Sequence, residues 1–272
     1  RKQAEDLIGF MVGDLRDKLE GVGRLELLDA VGDRALAYFA SLPVERLSEA
    51  DLVRQIEAIV QVGEVRRAQG HLPAALETFA RAEALGRALV VRNPASEPAQ
   101  RALATATEWM GQALFEQGRA PEALATWRRN LAIAEEQLRQ RPASELWLQA
   151  VGNSRHNIGT VLERQGDLLG ALESYQQTLA IQRQLQAARP DDEELEAFLA
   201  GTLAFVSSAL ERQGDLAGAL EQRHAHLEIQ ERLALRRPEV AERRQDWAVA
   251  QGFLAGLLVP LGNAAGARAL YE

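Results

Sequence analysis

Glu163-Arg164-Gln165-Gly166-Asp167-Leu168 and Glu211-Arg212-Gln213-Gly214-Asp215-Leu216 stand 48 residues apart, and each is followed, one residue on, by Gly-Ala-Leu-Glu. The same step lands on Gly70, Gly118 and Gly262. Five glycines in register define a repeat. A period changes what the other residues can mean: a position recurring in every copy is structural, and one that varies is free to recognise something.

Outward from those glycines, each copy has one plan. A first helix of roughly twenty residues (about 49–69, 97–117, 145–165, 193–213, 241–261) meets a turn at the register glycine, and a second helix (about 73–93, 121–141, 169–189, 217–237) follows. Pro73 and Pro121 open second helices, where a missing N–H costs nothing. Asn93-Pro94, Arg141-Pro142, Arg189-Pro190 and Arg237-Pro238 close them, because the residue before proline is pushed out of helical geometry. Short turns make consecutive helices antiparallel neighbours.

The segment ahead of the register reads differently. Residues 4–22 set Leu7, Met11, Leu15 and Leu19 on one apolar stripe, and a second helical pattern runs from about Arg24 to Ser41 with Leu25, Leu28, Val31, Leu36 and Phe39 inward. Gly21 and Gly23 separate the two, and Pro43 ends the second. Residues 1–47 are therefore expected to be a helical cap or connector, and 48–272 four full repeats plus a truncated fifth. Opening on Arg1-Lys2-Gln3 and stopping a few residues into a repeat, the chain is expected to be a piece of a longer protein.

Packing positions can be named as well. Ala75, Ala123, Ala171, Ala219 and Ala267 form one small column, and Gly63, Gly111, Gly159, Ser207 and Ala255 another. Small residues at facing sites let two helices approach closely, so both columns are assigned to the crossing within a repeat. Phe79, Trp127 and Tyr175 form a large column in the second helix that Arg223 breaks. The fourth copy should be looser there, or contact something else.

A small residue at the crossing, glycine at the turn, alanine then an aromatic in the second helix, and a closing proline together resemble the tetratricopeptide repeat (TPR). The resemblance covers about residues 49–272 and departs in length, since the usual unit has about 34 residues. It implies an all-α, right-handed α-solenoid of antiparallel helix pairs, with a concave groove of first helices that binds a protein or peptide. The groove positions it implies are Glu57, Gln61 and Glu64; Glu108, Trp109 and Gln112; Asn153, His156, Asn157 and Thr160; and Phe205 and Ser208. The Trp109, Asn157, Phe205, Phe253 column fits either a groove lining or the core between repeats. Asp6-Leu7-Ile8-Gly9-Phe10-Met11 resembles connectors in bacterial multidomain signalling proteins. The family's two-carboxylate clamp of Lys, Asn and Arg is not reproduced.

Composition narrows the function classes. With net charge −8 and pI near 5.3, the chain lacks the basic surface that nucleic-acid binding needs. There is no cysteine, hence no disulfide or thiolate metal site, and no apolar run reaches the ~20 residues of a membrane helix. No membrane insertion by this segment is expected, and the expected location is the cytoplasm, as a soluble protein or the soluble part of a membrane-anchored one.

No phosphate loop is present. His224 and His226 are two apart on a helix and point away from each other, which disfavours a shared metal. Asp191-Asp192-Glu193-Glu194 follows Pro190 and reads as a helix cap. Arg164 and Arg212, each preceded by Glu, read as surface ion pairs. No catalytic residues, cofactor or metal are assigned. The expected function is a non-catalytic protein-interaction module, the sensor or scaffold part of a larger signalling protein. The alternative is a homo-oligomer paired through the N-terminal helices.

Overall fold

The structure is a computed structural model and describes residues 29–42 and 47–270. The expected helix over 4–22, its Leu7, Met11, Leu15, Leu19 stripe and the self-association drawn from it lie outside those residues. Among the described residues there are helices and no strand: α1 (Asp29–Ser41), α2 (Glu49–Ala68), α3 (Leu72–Arg92), α4 (Glu97–Glu116), α5 (Ala120–Gln140), α6 (Glu145–Gln165), α7 (Leu168–Ala188), α8 (Glu193–Gln213), α9 (Leu216–Arg236), α10 (Ala241–Leu258) and α11 (Ala264–Ala269).

The chain divides into two compact units, one ending at Gln140 and the other beginning at Arg141. The first holds α1 and two helix pairs; the second holds two more pairs and then α10 and α11. A full-length repeat helix of 20 or 21 residues is roughly 30 Å long.

Each bend is made the same way. Gly70, Gly118, Gly166, Gly214 and Gly262 all sit at φ between 77° and 87°, where a side chain would be strained. The residue after each glycine donates its N–H to the carbonyl five residues back: His71 to Arg66, Arg119 to Leu114, Asp167 to Leu162, Asp215 to Leu210 and Asn263 to Leu258. Reversal thus satisfies carbonyls the helix end would otherwise leave bare.

Starts are equally regular. Ser48, Ser96, Ser144 and Asp192 cap the first helices with side-chain oxygens. Asp192 accepts from the N–H groups of Glu194 and Leu195, so the acidic run does serve as a cap. Val240 in the fifth copy offers no such oxygen. That copy's first helix also stops at Leu258 rather than near 261, because Pro260, which has no N–H to give the ladder, stands where Arg164 and Arg212 continue their helices.

The crossing is tighter than two small columns alone would make it. A Cβ on Gly63 would lie 2.4 Å from the Phe79 ring, one on Gly111 2.5 Å from Trp127 Nε1, and one on Gly159 2.7 Å from the Tyr175 ring. The first-helix glycine therefore takes the second-helix ring flat against its backbone, and the rings of Phe79, Trp127 and Tyr175 are all buried. Where the ring is missing, the glycine is too: Ser207 fills the fourth crossing and donates to the carbonyl of Ala219 at 2.9 Å.

The α2/α3, α6/α7 and α8/α9 pairs are also closed at their far ends. Asn93 Nδ2 donates to Glu49 at 2.7 Å, while Arg189 lies 3.2 Å from Glu145 and Arg237 3.0 Å from Glu193. In these three pairs the first residue of the first helix holds the C-cap of its own partner. Within the first unit, α1 packs on the outer repeat through buried Ala35 and Phe39, and the Phe39 carbonyl accepts from buried Gln55.

Candidate protein-binding face

First helices of neighbouring copies lie along one side of each unit. In the first unit, α2 and α4 are joined by Arg67 to Glu116 at 2.7 Å and by Arg101 to Glu57 at 3.3 Å. Glu57 is exposed, and Gln61, Glu64, Glu108, Trp109 and Gln112 are half-buried. Glu108 accepts from Asn130 of α5 at 2.7 Å, and Gln112 donates to Glu116 at 2.7 Å. The Trp109 ring stacks on Phe79 of the preceding copy, with centroids 6.5 Å apart, and takes the Arg67 guanidinium 5.0 Å from its own centroid.

In the second unit, His156 of α6 lies among three rings: Tyr175 at 5.6 Å, Phe198 at 5.4 Å and Phe205 edge-on at 5.0 Å. The Tyr175 hydroxyl donates to Glu163 at 3.0 Å and lies 3.4 Å from Thr160 Oγ1. Glu163 also takes Arg212 at 3.0 Å and Ser208 at 3.5 Å, both from α8. The fold therefore brings His156, Thr160, Phe205 and Ser208 into one neighbourhood. Asn153 stands apart, lining an open cleft of about 390 Å³ with Glu145, Gln149 and Arg189, and Asn157 is half-buried on α6.

The aromatic column now has a physical account. Trp109 packs on Phe79, Phe205 on Tyr175 at 5.4 Å, and Phe253 against the Arg223 guanidinium at 4.5 Å. In these copies a first-helix ring closes over the large column of the preceding second helix. Phe198 is not foreshadowed in the sequence, because its register equivalents Ala150 and Asp246 are not aromatic, and the pairing of Arg223 with Phe253 joins two different helices that no local pattern links.

Burial governs the titration here. Surroundings with little water push His156 down to about 4, and its Nδ1 is buried without a hydrogen-bond partner. Burial also raises the Tyr175 hydroxyl. His226 is likewise lowered to about 4, by burial and then by the Arg223 charge.

Between about 4 and 6.5 the unfolded chain binds protons on these histidines that the folded chain does not. Their contribution to stability is thus complete above 6.5 and lost as pH falls toward 4. Urea midpoints measured down through that window should fall, and His156→Phe combined with His226→Leu should flatten the upper part of the slope. An unchanged slope would place both histidines in water.

His226 is buried while His224 is exposed, on opposite sides of α9. Among the described residues no group of three or more His, Asp or Glu side chains could hold a metal, and no helix is long and apolar enough to cross a membrane.

A family model, tetratricopeptide repeat, matches residues 102–184. That stretch holds two crossing glycines, Gly111 and Gly159, with the rings of Trp127 and Tyr175 that lie on them. Residues 102–184 carry tetratricopeptide repeats. Among solved structures, the chain is similar to BtubC (BKLC) from P. vanneervenii, at 18% identity over 90% of this chain and 87% of that one, with a TM-score of 0.64. It is also similar to the apo form of RapI, at 13% identity over 96% and 94%, with a TM-score of 0.62. A Podosopora anserina protein of nearly identical TPR-like repeats aligns at 18% identity over 80% and 92%, with a TM-score of 0.59. At these identities the likeness is one of fold. A search of curated proteins finds no match.

Proposed function

We propose that this TPR array is a non-catalytic module that holds a protein or peptide against its first-helix face, as the sensing or scaffolding arm of a larger signalling protein. The observation that carries the reading is a contrast between columns. Turn and crossing positions repeat their chemistry, whereas Gln61, Trp109, Asn157 and Phe205 share one half-buried column and Glu64, Gln112, Thr160 and Ser208 another. Half-buried side chains of mixed chemistry on long helices suit an extended partner, gripped by a few anchors within a polar surround. The signalling role rests on the connector resemblance of Asp6–Met11.

Because Trp109 and Phe205 also pack between copies, the informative variant leaves them alone. Glu64→Ala, Gln112→Ala, Asn157→Ala and Ser208→Ala together should weaken a captured partner about ten-fold or more while Tm stays within a few degrees. Equal capture by the variant and the parent would remove this face from the account. If the captured partner is the same chain, the face serves self-assembly.

A further inference from the structure

Arg223 holds the place that Phe79, Trp127 and Tyr175 fill with rings, and it is only 6% exposed. Among the described residues no carboxylate comes within ion-pair distance of it. Its Nε is buried without a hydrogen-bond partner, and the contact it does make is with the face of Phe253, 4.5 Å from the ring centroid. Burial pulls its pKa below the ordinary arginine value, with the Glu211 charge opposing.

Glu211 is the register equivalent of Glu163, which takes the Tyr175 hydroxyl one copy earlier, yet no such bond forms to Arg223. One and two turns further along the same face of α9, His226 and Gln230 are buried as well, each with a side-chain atom lacking a partner. A charge withdrawn from water without a hydrogen-bonded counter-ion destabilises the fold that holds it. Such a group is more economically explained by something that arrives than by anything already present.

We infer that Arg223, framed by the ring of Phe253, is a binding point for the carboxylate of an acidic residue in a peptide partner, flanked there by apolar or aromatic neighbours. The planar fork of a guanidinium matches a carboxylate with two parallel hydrogen bonds. Phe253 is 49% exposed, which leaves ring surface for the residue beside the acid. A single negative charge fits better than a phosphate dianion, since Glu211 is close and the chain carries −8 overall. The inference deepens the peptide-binding reading, because Phe253 continues the column of Trp109, Asn157 and Phe205 into the fifth copy.

The probe is the acetylated and amidated tripeptide Phe-Glu-Phe, with Phe-Gln-Phe as its uncharged twin, titrated into the whole chain while the Arg223 Nε–H and Phe253 ring resonances are followed by NMR. A saturable shift of both with the glutamate peptide is expected, at least several-fold weaker with the glutamine twin and absent in Arg223→Met. No saturable shift, an equal shift with both peptides, or one that survives Arg223→Met overturns the inference. The comparison of the two peptides on the parent chain needs no variant to fold. Failure here is separable from failure of the proposed function, since the four-alanine variant leaves Arg223 and Phe253 untouched and is read by partner capture.

Discussion

Replacing Trp127 by alanine should lower the stability of the unit that contains it by about 3–5 kcal/mol, the range for truncating a buried large aromatic. The ring is 1% exposed, lies flat on Gly111 and meets Phe115 with centroids 5.7 Å apart. A glycine backbone has no side chain that could swing into the space, so relaxation can recover little of what is lost. Urea unfolding followed by circular dichroism measures this directly, and the midpoint should fall with little change in slope. A loss under about 1 kcal/mol would mean that the site collapses or that the ring is not filling it.

The second large effect is a coupling. Gly159→Ser alone should cost about 1–3 kcal/mol, the usual price of forcing extra atoms into a packed site. The new Cβ would sit 2.7 Å from Cε1 of a Tyr175 ring that packing and its bond to Glu163 hold in place. The fourth copy shows how the crossing accommodates a serine: Ser207 donates to the Ala219 carbonyl, and the column position that holds an aromatic in the first three copies is Arg223. Copying that pair as Gly159→Ser with Tyr175→Arg should therefore cost less than the two single changes added together, by roughly 0.5–3 kcal/mol. Strict additivity in the double-mutant cycle would show that crossing and column are independent, contrary to the geometry.

The parts of the fold that were legible in the sequence are those fixed by local chemistry. A glycine that must take positive φ, a proline that cannot continue a helix and a serine or aspartate that caps one each act within a few residues of themselves. Read at a fixed step, they placed most helix boundaries within about a residue or two, and the exception at Leu258 has its cause in Pro260. The rotation of one helix against another was harder to read. Whether Trp109 faces a groove or a neighbour depends on contacts between residues far apart in sequence, and only coordinates put its ring on Phe79.

The same holds for Glu196, 1% exposed, which gathers Arg232 at 2.5 Å and Arg236 at 2.7 Å from the next helix. Its counterparts one and two copies earlier are Leu148 and Gln100, so no column announced it. The division at Gln140 was equally silent, because the register runs through it without a change in composition. Of the candidate face, the positions come from the family resemblance alone, and the structure sorts them into a cluster around His156, an inter-copy stack at Trp109 and an outlying Asn153.

At Gly70, Gly118, Gly166, Gly214 and Gly262 nothing lies within 4 Å of where a Cβ would stand. Backbone handedness, not crowding, excludes ordinary side chains from these bends. A mirror-image alanine installed by chemical ligation would suit the conformation and restrict the denatured chain, so it should stiffen the molecule. A reporter dye tethered at the same corners would stand clear of the packed helices.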